Sequence, residues 1–408
     1  MKNASHIKNP STTAQEENRP VIAVAVVIAI AIMGDSLMYS LLPLEAAALG
    51  ISLTQVGILL SANRIVRFVS NTWASLVFEK WGARVPFLLA ALLGVVSTTM
   101  YGLGWGFGAF LIARALWGIG WSAFRHGGFQ AVSGASDQSK GRLMGLLWGI
   151  VRLGSAVSVL LGGYLYDQHG YSLAVGVIAL ITVFSVPLAF RIKWPTKITS
   201  PHEGSLPDRQ IKFRTPSHNW LLGAGLTDTL FEGALVATAS LFLVQRLNGQ
   251  ATLLGIGTLA GGLLALRFTA NVFFAPLLGT FSDKIGRSNA LVYLSSGMLV
   301  FMAGALTIQN NWALACLAVV FFGGSGSFAT LNAAASDVAN RSQRPDRYIG
   351  AFTTSIDFGA AIGPLLGFSI AEFIGFEWLY ISALGLFLIS TLGFWQAEKT
   401  LGRNHLLQ

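Results

Sequence analysis

Twelve apolar runs, each long enough to cross roughly 30 Å of hydrocarbon as a helix, leave few folds open to this chain. They cover residues 21–44, 56–78, 85–104, 107–132, 143–166, 173–190, 221–244, 253–278, 291–308, 312–335, 349–373 and 376–395. A water-soluble core cannot absorb that much apolar surface. Of 408 residues, 53% are hydrophobic and 11% charged, against about 25% charged in a soluble domain. The expected fold is an all-α integral membrane protein with twelve transmembrane helices, here called spans 1–12. The segment before span 1 is polar and span 1 is too long for a signal-peptide core, so no cleaved signal is expected. Cys316 is the single cysteine, which excludes an intrachain disulfide and a multi-cysteine metal site.

The placement of charge orients the spans. With the amino terminus inside, Lys80, Arg84, Lys140, Arg142, Lys284, Arg287, Arg341, Arg344, Arg347, Lys399 and Arg403 all fall in inner loops or tails, and Arg246 is the one base left outside. The positive-inside rule therefore places both termini in the cytoplasm. It also explains the net charge of +9 without a nucleic-acid partner.

A polar stretch at 192–217, with Pro195, Pro201, Pro207 and Pro216 among five Lys and Arg, cannot span and reads as a cytoplasmic linker. It divides the chain into a tail at 1–20, a six-helix bundle at 21–191, a second bundle at 218–397 and a tail at 398–408. The halves repeat. Glu79-Lys80-Trp81-Gly82 after span 2 returns 204 residues later as Asp283-Lys284-Ile285-Gly286 after span 8, and Gly145, Gly154 and Gly162 return 205 residues later as Gly350, Gly359 and Gly367. Duplicated bundles of this kind place a binding site near the midplane between halves.

Ten ionisable residues lie at membrane depth, where each costs at least about 2.5–3.5 kcal/mol and so must face protein or water. The acids are Asp35, Asp228, Glu232 and Asp357; the bases are Arg64, Arg67, Arg114, Arg125, Arg152 and Arg267. Spans 3, 6, 9 and 12 carry none, which makes every third helix an outer, lipid-facing support. Any single arginine fits either a substrate role or an ion pair that fixes helix register. The excess of bases over acids points to an anionic substrate, with Arg64, Arg67, Arg125, Arg152 and Arg267 as binding candidates. Asp35, Asp228 and Glu232 are placed to take up and release a proton during a transport cycle.

Three motifs resemble those of the major facilitator superfamily. The loop pattern G-x-L-x-D-x-x-G-R-R is met by Gly279, Asp283, Gly286 and Arg287, and in part by Glu79, Gly82 and Arg84, where Ser75 and Ala83 replace a glycine and an arginine. The resemblance implies that the acid sits against the start of a helix in the other half and latches an outward-facing state, as helix-dipole electrostatics allows. The element Arg114-Ala-Leu-Trp-Gly118-Ile-Gly120 is similar to one associated in the family with proton coupling; tight glycine packing is the alternative. The antiporter pattern G-x8-G-x3-G-P-x2-G-G is met partly in span 5 by Gly145, Gly154, Gly162 and Gly163, and more fully in span 11 by Gly350, Gly359, Gly363, Pro364 and Gly367. These small residues and the proline would form a hinge or seal between halves. Span 11 packs on span 2 in this family, so Asp357 is expected to pair with Arg64 or Arg67.

The sequence thus points to a secondary active transporter in the cell (inner or plasma) membrane, a monomer without cofactor or metal. It would move a small organic, anionic or amphiphilic solute by proton-coupled export. Uptake of an anionic nutrient or iron chelate by proton symport is the alternative within transport, and a non-transporting sensor or assembly partner the alternative outside it. No nucleotide loop, metal cluster or Ser-His-Asp arrangement suggests an enzyme.

Overall fold

The computed structural model describes residues 10–133, 136–194, 216–247, 254–308, 312–342 and 344–406, and these are helical apart from short connections. Most of the expected linker, 195–215, and the ends of both tails lie outside the described residues. Span 1 comprises Pro10–Ala31 and Met33–Glu45, with the axis kept continuous by Ile32 N–H donating to Ile28 O and Ser36 N–H to Ile32 O. Spans 2–5 are Leu53–Trp81, Arg84–Leu103, Phe107–Ser133 and Asp137–His169. Span 6 comprises Tyr171–Val183 and Ser185–Phe190. Spans 7–10 are Pro216–Leu247, Ile256–Ile285, Arg287–Thr307 and Trp312–Asn340. Spans 11 and 12 share Pro345–Leu406, divided at Gly375, whose φ of +80° only glycine adopts cheaply.

Helix ends and apolar ends do not coincide. The first helix begins at Pro10, not near Val21, and the last runs to Leu406. Residues such as Ala14, Gln15, Glu16 and Glu17 are good helix formers, so polarity marks where the bilayer stops rather than where the helix stops. Span 2 starts with a full capping box, Ser52 and Gln55 exchanging side-chain and backbone bonds.

Spans 3, 6 and 9 pack only against helices of their own half and turn large apolar side chains outward, including Leu89, Val96, Leu180, Phe184 and Val300. That is the surface a lipid-facing support needs. The two halves meet chiefly along two seams, span 5 against span 8 and span 2 against span 11, and the outer part of span 1 also packs on span 7.

The antiporter-like glycines serve mostly inside the halves. A Cβ on Gly154 or Gly162 would collide with Ala29 or Leu37 of span 1; one on Gly359, Gly363 or Gly367 would press on Leu226, Leu230 or Ala234 of span 7. This corrects the expectation of a seal between halves: these residues let span 5 lie on span 1 and span 11 on span 7. Gly163 is the exception. It meets the Gly257 backbone across the seam, and Gly261 meets Val159 in the same way. In the second seam Gly57 rests on Pro364 and Phe368.

Contact fades toward the inner, terminus-bearing end. A Cβ on Gly149 would lie 3.7 Å from Val272, whereas Gly145, Gly279 and Gly350 have nothing within 4 Å. The apolar core divides in the same sense. Leu37, Tyr101, Phe110 and Val159 of the first half's outer end belong to one cluster with Phe231, Leu264 and Phe368 of the second. Phe87, Trp117, Phe124, Leu147 and Ile192 at the inner end form a cluster of the first half alone.

Candidate functional site

Three of the embedded arginines are neutralised by carboxylates. In span 4, Arg114 is fully buried; it donates from Nη1 to Asp35 Oδ1, from Nε to Leu59 O at 2.9 Å and from Nη2 to Tyr39 Oη at 3.4 Å. Asn63 Nδ2 adds a bond to Asp35 Oδ1 at 3.1 Å. A charge that is costly at membrane depth is thereby neutralised and hydrogen-bonded inside the first half. Gly118 and Gly120 of the same motif pack on the Asn63 and Ala90 backbones, so the bland packing role and the polar one coexist.

In the second half, Arg267 of span 8 donates from Nε (2.8 Å) and Nη2 (2.6 Å) to Glu232 Oε1 of span 7. The third pair joins the halves: Arg125 Nη1 of span 4 lies 3.7 Å from Asp357 Oδ2 of span 11, both partly exposed. The expected pairing of Asp357 with Arg64 or Arg67 is therefore corrected. Those arginines line a small crevice with Phe68, Asn71 and Asp357, but the ion pair goes to span 4. Arg67 is held instead by its own helix, donating from Nε to Asn63 O at 3.2 Å, and by the Trp121 ring 5.7 Å away.

Arg64, Arg67 and Arg152 are left with no carboxylate in ion-pair contact among the described residues. Arg64 sits beside the Tyr39 hydroxyl and within electrostatic reach of Glu232; Arg152 is within reach of Arg64, Arg267 and Glu232. Arg152 of the first half and Arg267 of the second stand 5.7 and 5.4 Å from the one Phe268 ring. Two guanidiniums from opposite halves thus share an aromatic face. One acid is left over. Asp228, 1% exposed, accepts Ser327 Oγ at 2.6 Å through Oδ1, while its Oδ2 has no hydrogen-bond partner among the described residues.

The loop acid Asp283 bonds within its own half in this conformation. Asp283 pairs with Arg287, which also reaches Asp337 at 3.3 Å and Ser282 Oγ at 2.5 Å, all within the second half. With the inner ends apart, the nearest cation to Asp283 is four residues along its own chain. The carboxylate that does cap a helix of the other half is Asp167, at the outer end of span 5. It accepts Gly257 N–H at 2.9 Å, Thr258 N–H at 2.7 Å and Thr258 Oγ1 at 2.5 Å. Gly255 and Gly257 leave the space it occupies. Sequence reasoning missed Asp167 because it lies beyond the apolar run; the pair Gly257 and Gly261, four residues apart, was the signal available for this seam.

Twelve spans in two pseudo-equivalent bundles around a charged interior define a polytopic membrane transporter. The Major Facilitator Superfamily model matches residues 24–261 and 221–405, and the chain belongs to that family. Among its relatives, the human chromaffin granule amine transporter is 24% identical over 81% of this chain, which spans 62% of that protein's length. The multidrug resistance protein MdtG of Dickeya zeae (strain Ech586) is 24% identical, covering 83% of each chain. A bacterial homologue of the human lysosomal transporter Spinster, solved in an inward-facing, unoccupied conformation, shares the fold with a TM-score of 0.72. It is 12% identical over 94% of this chain and 97% of the other.

Proposed function

We propose that this protein is a monomeric, proton-coupled exporter of the inner or plasma membrane that moves a small organic solute, anionic or amphiphilic, by alternating access. The observation that carries the solute class is the set of three arginines with no carboxylate in ion-pair contact among the described residues, two of them, Arg64 and Arg152, within electrostatic reach of each other, with Arg152 standing over the Phe268 ring of the other half. An entering carboxylate or phosphate supplies the missing counter-charge, with guanidinium geometry suited to two-point contact. The fading of the seams toward the terminus-bearing end fits an inward-facing state that loads from the cytoplasm. Asp35, Glu232 and Asp228 are the proton-coupling candidates; a proton on Glu232 would release Arg267 to the solute. The similarity to a protein named for multidrug resistance supports export.

A second reading has its own support. Asp228 is a buried carboxylate with one oxygen unpartnered and no cation in ion-pair contact among the described residues, which suits an amine, and several relatives are named as amine transporters. Flux in proteoliposomes under an imposed pH gradient, scanning anionic and cationic amphiphiles, separates the two. The anionic reading expects anion flux that falls at least about tenfold in Arg152→Gln, the size of one lost charge-assisted contact. Cation-only flux sinks it, and no flux of any solute favours a sensor on the same fold.

A further inference from the structure

At the inner rim of the first half, span 3 begins and span 6 ends around a cavity of about 640 Å³ lined by Trp81, Gly82, Ala83, Arg84, Phe190, Arg191, Ile192, Lys193 and Trp194. Three bases line it and, among the described residues, no acid does. Arg84 is held by neutral groups, donating from Nη2 to Phe190 O at 3.3 Å and standing 4.7 Å from the Phe190 ring. Neither Arg84, Arg191 nor Lys193 forms an ion pair among the described residues.

The other half shows what a self-sufficient version of this corner looks like. There Arg287 is neutralised by Asp283 and Asp337, and Trp395 Nε1 donates to Asn289 Oδ1 at 2.8 Å. In the 204-residue register the counterpart of Asp337 is Ser133. In the same register Glu79 stands for Asp283, Ala83 for Arg287 and Arg191 for Trp395, so the first half gathers its bases at this corner in an arrangement of its own, with no acid lining the cavity among the described residues. Immediately toward the membrane, Trp81, Val85, Leu89 and Phe190 present exposed apolar side chains, a wall at the depth of acyl chains.

We infer that this cavity binds the headgroup of an anionic phospholipid, its phosphates held by Arg84, Arg191 and Lys193, with the acyl chains along the exposed face of span 3. A basic pocket at the cytoplasmic boundary is the chemistry such headgroups require. The start of span 3 adds the positive end of its dipole.

The test is native mass spectrometry of the detergent-purified full chain titrated with phosphatidylglycerol or phosphatidylcholine. The wild type is expected to prefer phosphatidylglycerol by about tenfold or more, as a few bases acting together allow. The triple variant Arg84→Gln, Arg191→Gln, Lys193→Gln should bring that preference below about twofold. A control triple at the same end, Lys140→Gln, Arg142→Gln, Lys284→Gln, should keep it. Preference unchanged in the first triple, or lost equally in the control, overturns the proposal. So does displacement of the lipid by millimolar inorganic phosphate, which would make this a soluble-anion site. Thermal unfolding without lipid checks that each variant is folded; if the triple is not, Lys193→Gln alone, at an exposed side chain, carries the same comparison at a smaller effect.

Discussion

The two ends of the interface between halves are built on different principles. The outer end is glycine against backbone, Gly163 on Gly257 and Gly261 on Val159, tied by Asp167 to the first turn of span 8. A second tie runs from Thr54 Oγ1 to Glu372 Oε2 at 3.4 Å. The inner end has one half-exposed ion pair, Arg125 with Asp357 at 3.7 Å, and glycines that touch nothing. A seam of desolvated backbone contact is specific and strong for its area, while an exposed ion pair is worth at most about 1 kcal/mol. The difference teaches where this conformation is held: at its outer face, with the inner face free to open.

That contrast presupposes halves that are stable in themselves, and the first test aims there. Arg114→Leu leaves Asp35 buried and unpaired, so it should cost about 3–5 kcal/mol and appear as lost folded yield or a lowered unfolding midpoint; a stable, monodisperse variant would show that the pair does not hold the first half. Next in size, Gly261→Val drives side-chain atoms into the Val159 carbonyl. Transport should fall more than tenfold, about the effect of 1.4 kcal/mol or more on the closed state, with folding retained. Full activity would mean the outer seam need not close. Third, Asp167→Asn should weaken the outer tie by about 1.5–3 kcal/mol, the worth of hydrogen bonds to a charged acceptor. Spin labels at Ala48 and Leu254, in a chain with Cys316→Ser, should then report longer distances across the outer face. An unchanged distribution would assign the closure to the glycines alone. The smallest effect belongs to Asp357→Asn, a shift of about 0.2–1 kcal/mol in the inward/outward balance. If that balance and the flux both stay unchanged, the inner pair is an incidental contact.

Much of this architecture was legible in the chain. Apolar length fixed the spans, and the absence of charge from spans 3, 6 and 9 identified them as outer helices because lipid tolerates nothing else there. The list of embedded charges was also legible, but their partners were not. Asp357 could not be assigned to Arg125 from sequence, since span 4, span 2 and span 11 converge only in three dimensions. Tyr39, Asn63 and Ser327, which complete the polar clusters, are uncharged and carry no signal above the background of polar residues in helices. Asp167 escaped for the opposite reason: a charge at the end of an apolar run is ordinary, and its role depends on a helix start 90 residues away. The antiporter-like glycines were visible as a pattern, yet small-residue spacing says that a helix is approached closely without saying by which neighbour.

The outer seam has a consequence for how fast the cycle can run. Where large side chains interlock, each closure must confine many rotamers, at up to about 2 kcal/mol for a long side chain. Gly163, Gly257 and Gly261 have none to confine. Parting and rejoining them confines no side chain of their own, so where span 5 crosses span 8 the conformational entropy lost on each closure is small, and the bond remade there is the Asp167 cap.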